Sequence, residues 1–342
     1  MIRTVLGDIK KEELGVTTAH EHVYSDLRPL VDDMPDNPEF NSLLTVDKRY
    51  LVNEDPYFVK DNAYLRAEDS LIDMQVFHKF GGRALVEMTT DDFGRDPVVL
   101  KDLSQKSGLH VVMGCGHYID ASISEKDKNK TVDQLAKEII YDINVGVRGT
   151  GIKAGVIGEV GTSMEITDVE WKNVRAAAIA SAETGAAISF HTALWGRNAS
   201  AIIKEVTSFG VKPEKICIGH IDVALRPDYL YEIVDQGAYV EYDNIGKEFY
   251  VPKDNQGLLH GRFAYDLERA ESILDLVKRG NADRILLSID ICLRSMQIVN
   301  GGNGYVHLLR HFKPMLKDMG ISQRDIDKMF IDNPANFLDI NK

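Results

Sequence analysis

Two histidines one residue apart, His20 and His22, stand in the segment VTTAHEHV (16–23). On an extended strand that spacing turns both imidazoles to one face, where they can grip a metal ion. Glu159, His191, His220 and Asp290 each fall near the end of another short apolar run: AGVIGEVG (154–161), AAISFHT (186–192), KICIGHI (215–221) and RILLSID (284–290). Imidazole and carboxylate are good ligands for zinc and for similar borderline metals. A catalytic site for one ion uses about three such ligands plus water, so six suggest two ions roughly 3.5–4 Å apart with a bridging hydroxide. Two divalent ions against Glu159, Asp290 and a hydroxide leave a residual positive charge for a carbonyl or phosphoryl oxygen. Zinc is the expected metal, and manganese, cobalt or nickel would accept the same donors. A lone buried histidine is more often a hydrogen-bonded core residue than a ligand. Five metal-type residues at predicted strand ends, beside Glu159, make the metal reading the stronger one.

The elements that must position these groups recur along the chain. Besides the five runs above, RALVEMTT (83–90), HVVMGCG (110–116) and AYVEYDNI (238–245) read as strands, several nearly continuous in Val, Ile, Leu and Ala as in a parallel sheet covered on both faces. Helical spacing follows in 169–185, 200–210 and 266–280, each ending in glycine, and in the closing segments 307–320 and 322–338. Eight strand–helix alternations predict a (β/α)₈ barrel, a TIM barrel, spanning 1–342 as one domain. In that fold catalytic groups sit at the carboxyl ends of the strands, as the candidate ligands do. Residues 25–64, rich in Asp, Asn and Pro, read as a loop insertion after the first strand, at the barrel mouth.

Composition narrows the partners. A formal net charge of −13 argues against nucleic acid, whose binding needs clustered Lys and Arg, and against an anionic membrane surface. The expected partner is a small-molecule substrate. Cys115, Cys217 and Cys292 form no CxxC pair, which is the usage of a reducing compartment. With no signal-peptide core at the N-terminus and no long apolar run, the protein reads as cytoplasmic.

Together TTAHEHV (17–23), EMTTDDFGRDP (87–97), KAGVIGEVGTS (153–163), SFHT (189–192), IGHID (218–222) and LLSID (286–290) resemble the phosphotriesterase-like family of the amidohydrolase superfamily over nearly the whole chain. Segments 238–252 and 289–305 are similar to its phosphotriesterase homology protein branch, and lactonases of phosphorylated sugars carry a comparable glycine-rich stretch after the last strand. The resemblance implies that His20, His22 and Asp290 hold a buried ion and that His191 and His220 hold an outer one. It implies that Glu159 stands where organophosphate-degrading members have a carbamylated lysine, so no bicarbonate should be needed. Lys153 is six residues upstream, roughly 20 Å along an extended strand, and so at the wrong end of the barrel. A homodimer is compatible with the resemblance.

The function expected is a binuclear metal hydrolase of ester-type bonds, a lactonase first of all, acting on a lactone or sugar-phosphate lactone through the bridging hydroxide. A phosphoester or phosphotriester hydrolase and a metal-dependent amidase or deaminase are the alternatives. Asp290 is the candidate proton acceptor. Tyr118, Lys247, Arg294 and Tyr305, on loops after strands, are candidate substrate contacts, with Lys247 and Arg294 as partners for an anionic or phosphorylated group. His117, just past the third strand, could reach the pocket or equally act behind the ligands, whereas His78, His110, His260, His307 and His311 are assigned no role.

Overall fold

The computed structural model describes residues 1–251 and 261–340; His260 and Pro252 lie outside the described residues. Eight short parallel strands form the barrel wall: β1 (Thr17–Glu21), β2 (Ala84–Glu87), β3 (His110–Met113), β4 (Ile157–Thr162), β5 (Ile188–Thr192), β6 (Ile216–Ile218), β7 (Tyr239–Tyr242) and β8 (Ile285–Leu287). β1, β2 and β3 pair in that order, and β4 to β8 form a second run in chain order. Backbone bonds bridge the two runs at both seams. Gly155 and Gly158 N–H donate to Met113 and Cys115 at one, and Asp290 N–H donates to His20 at the other. All eight predicted strands are present, each shorter than its apolar run because the ladder ends where the chain turns into a loop.

The seam between β8 and β1 has its own fastening. Glu21, between the two site histidines, points away from them by the period-two alternation of a strand. Its carboxylate accepts from Ile289 N–H (3.0 Å), Ile291 N–H (2.9 Å) and Ser288 Oγ (2.9 Å), and it is fully buried. Glu21→Ala would leave two backbone donors without partners, at about 1–3 kcal/mol each. Urea unfolding of the variant is therefore expected to show a loss of about 2–6 kcal/mol; an unchanged midpoint would rule out the seam role.

Helices Ala67–Lys79, Pro97–Ser107, Val132–Asn144, Asp168–Thr184, Ala199–Ser208, Pro227–Asp235 and Asp266–Lys278 follow the first seven strands. Asp168–Thr184 shows the local logic: Thr167 caps it in a capping box with Glu170, alanines pack its inner face, and Gly185 in the left-handed region ends it. The two closing segments are each interrupted by a π-helical turn, Leu308–Phe312 and Lys328–Asp332. An antiparallel hairpin, Ile2–Thr4 with Gly7–Ile9, covers the mouth opposite the ligands, where Ile2 packs with Ala335, Phe337 and Leu338.

The insertion after β1 is closed at its base by Ser25–Asp26 pairing antiparallel with Tyr64–Leu65. It holds mostly 3₁₀ turns and the short helix Arg49–Glu54, packed on small apolar clusters around Phe40 and Val52. Pro56 and Tyr57 from this insertion reach the cavity above the candidate ligands.

Candidate metal centre

The six residues singled out by spacing converge at the carboxyl ends of five strands. His20 lies in β1 with His22 just beyond it, Glu159 in β4 and His191 in β5, while His220 and Asp290 sit two and three residues past β6 and β8. Glu159 is the hub. Its carboxylate oxygens stand 3.5 Å from His20 Nε2, 3.4 Å from His22 Nε2, 3.3 Å from His191 Nδ1 and 3.6 Å from His220 Nε2. Asp290 Oδ1 is 3.1 Å from His22 Nε2. Two overlapping groups of close donor atoms result, His20–His22–Glu159 and Glu159–His191–His220.

His220 and Asp290 have φ of 60° and 51°, the left-handed region that non-glycine residues rarely enter. Such a backbone costs about 1–3 kcal/mol and persists where its surroundings over-determine it. Here it turns both side chains inward immediately after their strands end.

Whether metal fits can be judged from the donors. His20 Nε2 and Glu159 Oε2 are both buried with no hydrogen-bond partner, an expensive condition unless a cation lies between them. Burial alone would lower the histidine pKa values, yet His22 is raised to about 9, chiefly by Asp290 and Glu159, and His220 to about 10 by Asp243, Glu159 and Asp290. The cluster therefore calls for positive charge at the point where the lone pairs meet. These residues fit a pair of divalent ions.

Sequence reasoning missed the partners behind the ligands. His20 Nδ1 faces Glu241 Oε2 at 3.1 Å, His220 Nδ1 faces Asp243 Oδ1 at 3.0 Å, and His22 Nδ1 faces Thr89 Oγ1 at 2.9 Å. Each contact fixes the ring orientation and leaves the opposite nitrogen for metal. A signal was available: Glu241 and Asp243 are two apart in a run already read as a strand, so they had to share a face. His117 is held by Asp92 at 3.0 Å, and the same carboxylate accepts from Tyr118 N–H.

Of the expected substrate contacts, two line the cavity. The Tyr118 hydroxyl lies 3.2 Å from His191 Nδ1, and burial keeps its pKa well above the usual tyrosine value, so it is a neutral donor. Lys247 is buried in the cavity wall and pairs with Asp290; burial would lower its pKa, but Asp290 more than offsets this.

Arg294 and Tyr305 require correction. Arg294 is buried under the insertion, paired with Asp61 and, at 3.2 Å, with Asp69. A guanidinium so placed is committed to two carboxylates and does not face the cavity. Tyr305 is fully buried and donates to the His22 carbonyl at 2.7 Å, bracing β1. The glycine run before it also proves structural: a Cβ on Gly302 would meet the Met296 backbone at 2.1 Å, and one on Gly304 would meet Asp73 at 2.1 Å. Arg294→Ala is expected to cost about 1–3 kcal/mol of stability, because Asp61 and Asp69 lose a buried charge partner while Arg66 still pairs with Asp61 at 2.8 Å. Chemical denaturation measures that loss, and a change in substrate KM with stability intact would restore the anion role.

The sequence profile described as the Phosphotriesterase family matches residues 1–338. The chain belongs to this family. That family is a binuclear metal-dependent one with a (β/α)₈ barrel fold, and the chain is a phosphotriesterase-like hydrolase with candidate metal-binding residues. Its relatives include the N-acetyltaurine hydrolase of Bos taurus, 34% identical over 98% of this chain and 97% of that protein. Among solved structures, the phosphotriesterase homology protein of Escherichia coli, complexed with phosphate in its active site, is 31% identical with a TM-score of 0.79, covering 96% of this chain and 99% of that one. A lactonase from Listeria monocytogenes is 27% identical, also with a TM-score of 0.79, over 100% of this chain and 99% of the other. Among the described residues of this phosphotriesterase-family protein, no helix is long and apolar enough to cross a membrane.

Proposed function

We propose that this protein hydrolyses an acyl bond in a small substrate, an amide of the N-acyl amino acid or N-acyl aminosulfonate class, at a centre of two divalent ions held by His20, His22, Glu159, His191, His220 and Asp290. The observation that carries the reading is the juxtaposition of unpartnered His20 and Glu159 donor atoms with a cavity that has an apolar wall opposite its polar groups. Leu27, Pro56, Leu194, Phe249, Phe263 and Leu293 line it, with Tyr118 as neutral donor and Lys247 as the cation. Among the described lining residues Lys247 is the one lysine or arginine, and it is shared with Asp290. One shared cation suits a singly charged group, such as a sulfonate or carboxylate, better than a phosphate dianion. The full-length similarity to N-acetyltaurine hydrolases supports placing an amide ahead of the lactone suggested by sequence.

When bound, the ions would supply Lewis acidity toward the carbonyl oxygen and lower the pKa of water toward neutrality. The chain supplies the rest. Asp290 accepts the proton of the attacking water and returns it to the leaving nitrogen. Lys247 holds Asp290 ionised; burial acts against this, but the ammonium and the histidines outweigh it and keep the carboxyl below its ordinary range. The Tyr118 hydroxyl donates toward the carbonyl oxygen, while the apolar walls exclude bulk water and strengthen these interactions.

The lactone remains the second reading, favoured by the lactonase neighbour. Metal-replete protein should be assayed on N-acetyltaurine, on N-acetyl amino acids, and on lactones with and without a terminal phosphate. Amide kcat/KM at least about 10-fold above that of any lactone, with no gain from phosphate, is the expected result. Lactone turnover alone would replace the amide reading, and turnover of neither would end the acyl-hydrolase proposal.

A further inference from the structure

Outside the barrel centre, Asp266, His307 and His311 meet at a cleft on the surface. Asp266 is the first residue of helix Asp266–Lys278, and the two histidines are four apart where the chain enters the π-helical turn Leu308–Phe312. That spacing stacks the rings at 4.8 Å between centroids and 27° between planes, presenting both imidazoles on one side. His307 Nε2 is 2.7 Å from Asp266 Oδ2, and one donor atom from each of the three residues lies within 4.8 Å of the other two.

We propose that Asp266, His307 and His311 form a peripheral site for one divalent transition-metal ion, separate from the catalytic pair. A simple histidine–aspartate contact accounts for His307 but leaves His311, which is exposed and has its ring stacked on His307 with no hydrogen bond among the described residues. Two stacked imidazolium ions would repel each other, whereas two neutral rings offer lone pairs to one ion. Glu248 lines the same cleft, where its carboxylate accepts from Asp266 N–H at 3.1 Å. Of the cations nearby, Arg310 lies over the Phe80 ring at 5.1 Å, and Arg269 binds Asp266 Oδ1 at 3.1 Å, which leaves Oδ2 as the oxygen facing the histidines. Two imidazoles and a carboxylate with open positions for water favour zinc, nickel, cobalt or copper over magnesium or calcium. Donors about 2.0–2.2 Å from a common tetrahedral ion stand roughly 3.5 Å apart. Rotation of the exposed His311 side chain can close the remaining distance.

The site would also stiffen the active-site rim. Asp266 Oδ1 accepts from Gly246 N–H at 2.8 Å, and Arg269 Nη2 donates to the Lys247 carbonyl at 3.1 Å. An ion at Asp266 thus ties the segment carrying Lys247 to the chain after β8.

The test compares zinc uptake by wild-type protein and by His311→Ala, using a competing chromophoric chelator and total metal analysis after removal of weakly bound zinc. Wild type is expected to bind one zinc more than the variant, or to hold that last zinc at least about 10-fold more tightly. Zinc should also raise the Tm of wild type beyond any rise in the variant. Equal uptake and equal Tm shifts in the two proteins would overturn the proposal. Because the count is a difference between two chains with the same barrel centre, its failure is distinct from failure of the catalytic assignment. Turnover of His311→Ala on the assigned substrate should remain close to wild type. The His311 ring is exposed and makes no hydrogen bond among the described residues, so the variant is expected to fold, which circular dichroism will verify.

Discussion

Glu159→Ala is expected to leave protein holding at most one ion per chain and to lower kcat/KM by more than about 10³-fold. Among the described residues the carboxylate is the one group within 3.6 Å of all four site histidines, so its loss uncouples the two donor groups at once. Loss of a partner one step behind a ligand already costs about 10–100-fold in metal affinity or activity, and a shared ligand should cost more. Metal analysis after exhaustive dialysis, alongside turnover at saturating zinc, tests this directly. Retention of two ions with normal turnover would mean that Glu159 is not the bridge. Wild-type activity should likewise be the same in bicarbonate-free and bicarbonate-containing buffer, because glutamate supplies its own carboxylate. Bicarbonate-dependent reactivation would instead point to a carbamylated lysine.

Asp290→Asn should act differently, lowering kcat by about 10²–10⁴-fold while the histidines and Glu159 retain metal. The amide keeps the shape and one donor oxygen of the carboxylate but cannot take up a proton near neutral pH. It also leaves Lys247 buried without its charge partner, a change worth about 3–5 kcal/mol in comparable buried pairs. Lowered Tm together with lowered kcat is therefore expected. Metal content and calorimetry must be read beside the rate, since a fall in kcat caused only by lost metal would be reversed by excess zinc. Full turnover with metal retained would remove the proton-transfer role.

The contrast between Lys247 and Arg294 shows where reading along the chain stopped working. Both follow barrel strands, and both were candidates for an anionic substituent. Lys247 reached the cavity; Arg294 was captured by Asp61 and Asp69, which belong to the insertion and to the helix after it, more than two hundred residues earlier in sequence. No local pattern reports which carboxylate a loop cation will meet across such a distance. Tyr305 failed for a related reason, since the glycine run before it serves close packing against Met296 and Asp73.

The barrel, by contrast, was legible from periodicity. Parallel strands covered on both faces must be apolar almost throughout, and alternation with helical spacing leaves few other architectures. Candidate ligands could be named because side-chain direction on a strand has a period of two and because this fold gathers its chemistry at strand ends. Glu21 illustrates the same rule in reverse, lying between two site histidines yet facing the β8 seam. Glu241 and Asp243 were as accessible to that reasoning as His20 and His22. They passed unnoticed because a carboxylate pair on a strand also reads as an ordinary polar face.

Local spacing was thus sufficient for the eight strands and for naming six side chains that converge at their carboxyl ends. Long-range packing alone decided which loop cation reaches the cavity, which carboxylates stand behind the histidines and how His307 comes to face Asp266. The division has a physical cause. Backbone periodicity is a property of neighbouring residues, whereas a charged side chain settles where desolvation is best compensated, and that depends on segments brought together only by the folded chain.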